Sequence, residues 1–216
     1  MREGEGTYKD LNGNKLSCTW EGEVPTGSGS IEFKNGDVYT GEITEDGIIS
    51  GKGEYAFKNG DLYQGSLKDG KFDGPGELSF AAGDNYKGQF VDGKFCDENA
   101  MMTSQLGYYT GHFKNGEKNG AGVFVYEDGS KYDGEWIEDR RDGFGKYTYP
   151  NGDVYQGNWM RGKRHGLAVY FFTDGGKFEG RFDRDMKHGN GAIFTSSGEV
   201  IRGAWEKDEL KSSIIA

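Results

Sequence analysis

The chain has 216 residues, of which 39 are glycine, and its formal net charge is -10 at pH 7. Only 33% of the residues are hydrophobic while 14% are aromatic, which disfavours both a two-layer aliphatic core and a disordered chain. The negative charge disfavours nucleic-acid binding, and two cysteines without a CxxC pair indicate neither a disulfide scaffold nor a zinc module.

An aromatic-x-Gly triplet recurs along the chain and marks one strand of each repeat. The step between triplets is 19 and then 24 residues at first, and 23 residues from Tyr63 onward. A second bulky residue follows each glycine by two positions, so the pattern has the period of a β-strand. The triplets begin at Trp20, Tyr39, Tyr63, Tyr86, Tyr109, Tyr132, Tyr155 and Phe178, with Ile201 as a ninth.

A second strand follows each triplet strand, with the pattern Gly-x-Gly-x-aromatic-x-aromatic. It is clearest at Gly143, Gly145, Tyr147 and Tyr149. Turn dipeptides such as Asn-Gly at 151–152 then lead to the next triplet, so each unit is predicted to be a hairpin. Tyr149 and Tyr155 share a face only if the turn has an odd number of residues, which predicts a three-residue turn with glycine in the left-handed conformation.

Together these motifs resemble the MORN (membrane occupation and recognition nexus) repeat, and the resemblance extends over about residues 4 to 205. The expected fold is all-β: an elongated single-layer antiparallel meander of about nine stacked hairpins, twisted into a grooved rod. Glycine rows on one face leave room for rings from neighbouring strands. One array is predicted over residues 1–216, with a short C-terminal tail at 206–216.

The least regular stretch is residues 96–106, where Asp97 and Asn99 replace the paired glycines. Two interpretations stay open. The stretch is either a degenerate unit that still pairs, or a bend or partner-binding spot at which Met101 and Met102 offer adaptable apolar surface.

Nothing in the sequence predicts catalysis. The three histidines, His112, His165 and His188, lie in different repeats, and no Ser-His-Asp set or metal-ligand spacing accompanies them. We therefore expect no enzyme activity, no cofactor and no metal site.

Three surfaces are candidates for binding. A single sheet leaves its aromatic face uncovered, which predicts a partner-binding groove for a peptide or helix at Tyr109, Phe113, Tyr132, Trp136, Tyr155, Trp159, Phe178 and Phe182. A basic edge, interleaved with acidic residues, is a candidate for the headgroups of anionic phospholipids at Lys118, Arg140, Arg141, Lys163, Arg164 and Lys187. Apolar residues near the last strand predict an end-to-end homodimer through Ile201, Trp205, Ile214 and Ile215.

The resemblance implies a scaffold or adaptor that binds protein partners and helps to assemble cytoskeletal or membrane-skeleton complexes. Its expected location is the cytoplasm, on the cytoskeleton or at the cytoplasmic face of a membrane. Two alternatives stay open: a phosphoinositide-binding module, and the accessory repeat region of a larger enzyme such as a lipid kinase.

Overall fold

The computed structural model describes residues 2–214, with side chains for residues 2–213. This part of the chain contains twenty β-strands and no helix, which confirms the all-β prediction. Its strands fall into two compact units. Unit 1 comprises Met1–Gln105 and Lys114–Gly116, and unit 2 comprises Leu106–Phe113 and Glu117–Ala216. The sequence predicts one array over residues 1–216; in the structure, both units consist of the same hairpin repeat.

Unit 1 is an antiparallel meander in which β1 to β8 pair in chain order, and β8 then pairs with both β9 and β10. Its strands are β1 (Gly4–Lys9), β2 (Lys15–Glu21), β3 (Val24–Glu32), β4 (Val38–Ile43), β5 (Ile49–Ala56), β6 (Leu62–Lys68), β7 (Lys71–Ser79), β8 (Asn85–Val91), β9 (Lys94–Phe95) and β10 (Asp97–Ser104).

Unit 2 has the same organisation, and each strand from β12 to β20 pairs with the next in antiparallel fashion. Its strands are β11 (Gly107–Lys114), β12 (Glu117–Tyr126), β13 (Lys131–Ile137), β14 (Arg140–Thr148), β15 (Val154–Met160), β16 (Lys163–Phe171), β17 (Lys177–Asp183), β18 (Met186–Phe194), β19 (Val200–Glu206) and β20 (Glu209–Ile214).

The turn between β14 and β15 confirms the predicted three-residue turn. The backbone N–H of Tyr149 donates to the carbonyl oxygen of Asp153, and the N–H of Gly152 donates back to Tyr149, both at 2.9 Å. Gly152 has a φ of 89°, in the left-handed region that glycine adopts without a steric penalty. Residues 150–152 therefore form the turn, and Tyr147 pairs directly with Tyr155 on the same face.

Two-residue turns connect the triplet strand to the strand that follows it. At the turn between β13 and β14, Glu138 and Asp139 both have positive φ, at 49° and 62°. A register shift follows, because Trp136 pairs with Arg141 whereas Gly134 pairs with Gly145. This bulge brings the second glycine row beside the first.

The rings nest on bare backbone, as the sequence predicts. Gly134 pairs with Gly145, and a Cβ atom built on Gly145 would lie 2.4 Å from the hydroxyl oxygen of Tyr132. The same ring blocks a Cβ atom on Gly134 at 2.6 Å. Tyr132 thus covers both glycines, and its hydroxyl donates to the carbonyl oxygen of Glu135 at 2.9 Å.

The resulting core is a row of rings, here called the inner row, in which each member is at most 1% exposed. It consists of Tyr39, Tyr63, Tyr86, Tyr109, Tyr132, Tyr155 and Phe178. A second bulky residue on each of these strands packs beside it, for example Trp159, which is 4% exposed and whose indole N–H donates to the carbonyl oxygen of Gly145 at 3.3 Å. We call the face that carries these residues the ring face.

Part of the irregular stretch at 96–106 is paired, as expected of a degenerate unit. Met102 of β10 lies opposite Tyr86 of β8, and Ala100 is fully buried. A Cβ atom on Gly88 would lie 2.9 Å from that of Ala100, so alanine fills the place of the missing glycine. Met101 is 46% exposed, and the boundary between the two units follows Gln105.

The end of the chain differs from the predicted tail at 206–216, because β20 pairs with β19. Trp205 lies opposite Leu210, as Trp159 lies opposite Arg164 in a regular repeat. The sequence after Trp205 thus continues the repeat by one more strand. Ile215 and Ala216 lie outside the described residues.

Candidate functional site

The eight residues predicted to line a partner-binding groove are core residues instead, which corrects that prediction. Their side chains are each at most 4% exposed: Tyr109, Phe113, Tyr132, Trp136, Tyr155, Trp159, Phe178 and Phe182. The physical reason is that these rings pack edge-to-face against each other, as at 5.1 Å between Tyr132 and Trp136, with the inner row lying flat on glycine. They therefore offer almost no surface to a partner in this structure.

A second set of rings on the ring face is half-buried and reachable by a partner. In unit 2 these rings form the outer row: Tyr126, Tyr147, Tyr149, Tyr170 and Phe172. Neighbouring centroids are 6.0 Å apart between Tyr126 and Tyr147, 4.7 Å between Tyr147 and Tyr149, 5.6 Å between Tyr149 and Tyr170, and 5.1 Å between Tyr170 and Phe172. The sequence signal for this row was the aromatic-x-aromatic pair that follows each Gly-x-Gly.

Hydroxyl groups of the outer row are oriented by polar partners at its margins. Tyr147 bonds with the Ser130 hydroxyl at 2.8 Å, and Tyr170 donates to Asp153 at 2.9 Å. Arg164 donates to the hydroxyl of Tyr149 at 3.0 Å. Burial raises the pKa of Tyr149 and of Tyr170 above the ordinary tyrosine value, which agrees with their half-buried rings.

Four of the six residues predicted to bind lipid headgroups lie across rings instead of along a free edge. The guanidinium carbon of Arg141 is 4.2 Å from the ring centroid of Trp159, and that of Arg164 is 5.1 Å from Phe182. The ammonium of Lys118 is 5.7 Å from Trp136, and that of Lys187 is 5.4 Å from Phe178. These cations cover the core from the solvent side.

Three of these four cations, Lys118, Arg141 and Arg164, are already paired with groups one repeat further along the chain. The ammonium of Lys118 contacts Asp139 at 2.9 Å and is 17% exposed, while Arg164 contacts Asp185 at 3.5 Å and is 21% exposed. Arg141 donates to the carbonyl oxygen of Gly162 at 2.8 Å. Only Arg140 and Lys163 of the predicted set have exposed side chains. Little free positive charge is therefore left for an anionic headgroup.

In unit 1 the covering position is apolar. Phe72 stacks on Tyr63 with 3.7 Å between centroids, and Phe95 stacks on Tyr86 at 3.8 Å. Ile49 occupies the same position one repeat earlier and is 7% exposed. The two units thus present different chemistry on the same repeat: an apolar cover in unit 1 and a cationic cover in unit 2.

Sequence comparison agrees with this repeat geometry. The family model for the MORN repeat matches residues 39–62, 63–85, 86–96, 109–131, 132–154, 155–177 and 178–198, which together exceed half of the chain. The chain belongs to the MORN-repeat family. The gap between the third and fourth MORN matches coincides with the irregular stretch around β10. No curated protein matches the chain in a sequence comparison.

Solved structures with a similar fold include the wild-type TCP10 domain of Danio rerio CPAP. It has a TM-score of 0.51 and 16% identity, with 98% of this chain and 100% of that chain covered. The SAS-4 (dCPAP) TCP domain of Drosophila melanogaster, in complex with a proline-rich motif of Ana2 (dSTIL), is more distant: the TM-score is 0.36 and identity 12%, over 93% of this chain and 90% of that chain. At this identity, the likeness to the CPAP domain concerns the fold alone.

Aspartates in the turns of the MORN repeats have a structural role that sequence reasoning missed. The Asp153 carboxylate accepts hydrogen bonds from Asn151 in its own turn, from the hydroxyl of Tyr170 and from the backbone N–H of Thr173 in the next turn. The hydrogen bond from Asn151, opposed by burial and assisted by Tyr170 and Thr173, lowers the pKa of Asp153. The sequence signal was the aspartate that recurs after Asn-Gly.

The predicted dimer edge is also corrected in part. Trp205 is 3% exposed because β19 is paired on both sides, with β18 and β20, and Ile201 lies opposite Ile193 of β18. Ile215 and the side chain of Ile214 lie outside the described residues.

Chemistry-bearing residues do not converge elsewhere in the described part of this MORN array. His112, His165 and His188 lie on three different strands, and residues 2–214 contain no group of three or more His, Cys, Asp or Glu residues suited to a metal ion. Cys18 and Cys96 are free thiols, and burial raises the pKa of Cys18. Among the described residues, none belongs to an apolar helix of membrane-spanning length.

Proposed function

We propose that this MORN protein is a non-catalytic scaffold or adaptor that binds a protein partner on the outer row of unit 2. The observation that carries the proposal is a contiguous set of half-buried rings, Tyr126 to Phe172, on the ring face. Half-buried tyrosines next to an arginine match the composition of binding hot spots, because such rings lose little conformational entropy on binding. Membership of the MORN-repeat family supports this role through analogy with other scaffolds.

The proposal also covers the type of complex that the partner belongs to and the location of the protein in the cell. We infer that the partner belongs to a cytoskeletal or membrane-skeleton complex and that the protein acts in the cytoplasm, on the cytoskeleton or at the cytoplasmic face of a membrane. Proximity labelling in cells would test this location. Labelling confined to another compartment would contradict it.

Quantitative co-purification with substituted rings tests the proposed surface. Tyr149→Ala combined with Phe172→Ala removes two outer-row rings, and Phe144→Ala is the matched control because Phe144 is 51% exposed and alternates onto the opposite face. We expect partners captured by the unmodified chain to be lost from the double variant and kept by the control. Circular dichroism establishes that both variants fold. Equal capture by all three chains would refute the outer row as the binding surface.

Phosphoinositide binding is the alternative function, and the exposed side chains of Arg140 and Lys163 are what favours it. Arg140, however, is paired with Glu138 at 2.7 Å, which reduces its field. The protein-binding proposal expects no flotation with phosphoinositide liposomes at low salt. Flotation that disappears in Lys163→Ala would replace a protein ligand with a lipid.

A homodimer through the last strand forms part of the proposal, and Ile214 of the predicted dimer edge belongs to that strand, β20. Within residues 2–214, β20 pairs with β19, and a second copy that paired with the other edge of β20 would extend the sheet. Light scattering is expected to give about twice the chain mass of 23.9 kDa at micromolar concentration. A mass of one chain would reject the dimer and leave the outer row unaffected.

A further inference from the structure

Unit 1 contains a cavity of about 350 Å³ on its ring face, a volume typical of ligand sites. Leu16 and Ile31 pair across β2 and β3, where Tyr132 and Tyr147 pair in a regular repeat. The first repeat therefore lacks the two rings that fill this space elsewhere. The lining residues on which the argument rests are Asp10, Leu16, Ile31, Phe33, Asp46 and Ile49.

The floor of the cavity is apolar and its rim is negative. Ile31 and Ile49 are each 7% exposed, while Asp46 is exposed at the rim. The Asp10 carboxylate accepts hydrogen bonds from the backbone N–H and the side-chain amide of Asn14, both at 2.8 Å, which fixes its position. Within residues 2–214, neither aspartate has an ion pair. Unit 1 as a whole has 11 basic and 19 acidic residues, so a cation is the complementary ligand.

In unit 2, a similar combination of aromatic rings and a carboxylate is covered by an arginine of the same chain. Arg164 lies over Phe182 and pairs with Asp185, so that its stem covers the rings and its guanidinium reaches the carboxylate. In the cavity of unit 1, the covering position is Ile49, which has no charge. Arg2 lies over Tyr8 at 4.3 Å, so Phe33 is the ring that lines the cavity without a cation from this chain over it.

We propose that this cavity binds an arginine side chain presented by a partner polypeptide. The aliphatic stem packs on Leu16, Ile31 and Ile49, and the planar guanidinium stacks on Phe33 while it donates to Asp46 and Asp10. Arginine suits the site because its fork of N–H donors matches a carboxylate and because it is more weakly hydrated than lysine. This site is separate from the outer row of unit 2 and stands independently of the proposed function.

NMR titration of the full chain, with labelled isoleucine methyl groups, tests the site directly. The probe is a seven-residue Gly/Ser peptide with one central arginine, and its matched control has citrulline, which keeps the shape but not the charge. We expect the methyl signals of Ile31 and Ile49 to shift while those of Ile137 and Ile193 stay fixed. Citrulline is expected to bind about tenfold more weakly, as for the loss of a charge-assisted hydrogen bond.

Variants separate the cavity from general electrostatics. Asp46→Asn is expected to weaken peptide binding about fivefold, whereas Glu45→Gln removes the same charge one residue outside the cavity and leaves binding unchanged. Leu16→Tyr combined with Cys18→Gly places both the usual ring of the repeat and the glycine beneath it in the first repeat. This double variant is expected to abolish binding while the chain stays folded, as circular dichroism would show.

Three results would overturn the proposal. Equal binding of the arginine and citrulline peptides would exclude recognition of the charge. Equal effects of Asp46→Asn and Glu45→Gln would exclude the cavity as the place of recognition. Free arginine amide that binds as tightly as the peptide would assign the cavity to a small-molecule cation instead of a partner protein.

Discussion

A methyl group added at Gly145 should be among the most damaging small changes in unit 2. The new Cβ atom of Gly145→Ala would lie 2.4 Å from the hydroxyl oxygen and 2.5 Å from Cε2 of Tyr132, so the ring must move. Tyr132 is fully buried and donates to Glu135 at 2.9 Å. The clash therefore falls on a side chain that is held at both its face and its hydroxyl.

The loss of free energy of unfolding follows from these contacts. Burial of a ring contributes roughly 1.5–3 kcal/mol, and its hydrogen bond contributes about 1 kcal/mol. Alanine recovers roughly 0.5–1 kcal/mol relative to glycine in a strand. We therefore expect Gly145→Ala to lower the free energy of unfolding by about 2–3 kcal/mol, within the usual range for overpacked cores.

Gly6→Ala is the matched control. Gly6 is the second glycine of the Gly-x-Gly in β1, and a Cβ atom there would meet only Trp20, at an ordinary 3.5 Å. Urea unfolding followed by tryptophan fluorescence measures both variants, and Trp159, which donates to the carbonyl oxygen of Gly145, reports on the site itself. If Gly145→Ala and Gly6→Ala differ by less than about 0.5 kcal/mol, the nesting of rings on glycine does not stabilise the fold.

Three further outcomes are expected. Hydrogen bonds lower the pKa of Asp37, chiefly through the backbone N–H of Lys58, and that of Asp153, chiefly through Asn151. These carboxyl groups therefore stabilise the folded state above their ordinary pKa of about 4, and this stabilisation is lost as the pH falls below it. The urea midpoint should drop between pH 5 and pH 3 and should drop less in Asp153→Asn. Burial raises the pKa of Tyr63 to about 12, so its neutral phenol favours the folded state. The free energy of unfolding should fall as the pH rises from about 10 towards 12, with the ionisation of tyrosine followed by phenolate absorbance. Ionisation of Tyr63 at its ordinary pKa in the folded protein would contradict its burial. Arg164→Ala should lower the free energy of unfolding by about 1–2 kcal/mol. Arg164→Phe copies the cover that Phe72 provides in unit 1 and should keep most of the stability of the unmodified chain in thermal melts. Equal losses in the two variants would show that the charge of Arg164, and not its coverage of the rings, stabilises the fold.

Much of the fold can be predicted from the sequence because the pattern of glycine and aromatic residues recurs at a fixed spacing. Tyr149 and Tyr155 share a face only across an odd turn, and that parity correctly predicts residues 150–152 as the turn. The two-residue turns leave a weaker signal. Glu138 and Asp139 both take positive φ without any glycine, and such residues rarely predict that conformation on their own.

The candidate site was harder to predict, because exposure depends on contacts between repeats. Trp159 has the composition of a hot-spot residue, and a single sheet suggests that it is uncovered. In the structure, Arg141 from the preceding strand lies over it and Tyr155 packs at its edge, 5.1 Å away. Only the pairing register decides which ring of a repeat is inside, so Tyr149 and Phe172 could not be ranked above Trp159 from sequence.

Reciprocal hydrogen bonds between consecutive two-residue turns restrict which insertions and deletions such a chain tolerates in evolution. The backbone N–H of Arg164 donates to the Asp185 carboxylate at 2.9 Å, and the N–H of Asp185 donates to the Arg164 carbonyl at 3.0 Å, across 21 residues. A deletion of a few residues would leave both groups without partners, whereas loss or duplication of a whole unit recreates the same bonds with the next copy. Natural variants of this chain that fold should therefore differ in length by multiples of the repeat. Insertions of part of a repeat should be confined to places such as the segment around Ala100, where the pattern of hydrogen bonds between repeats is already irregular.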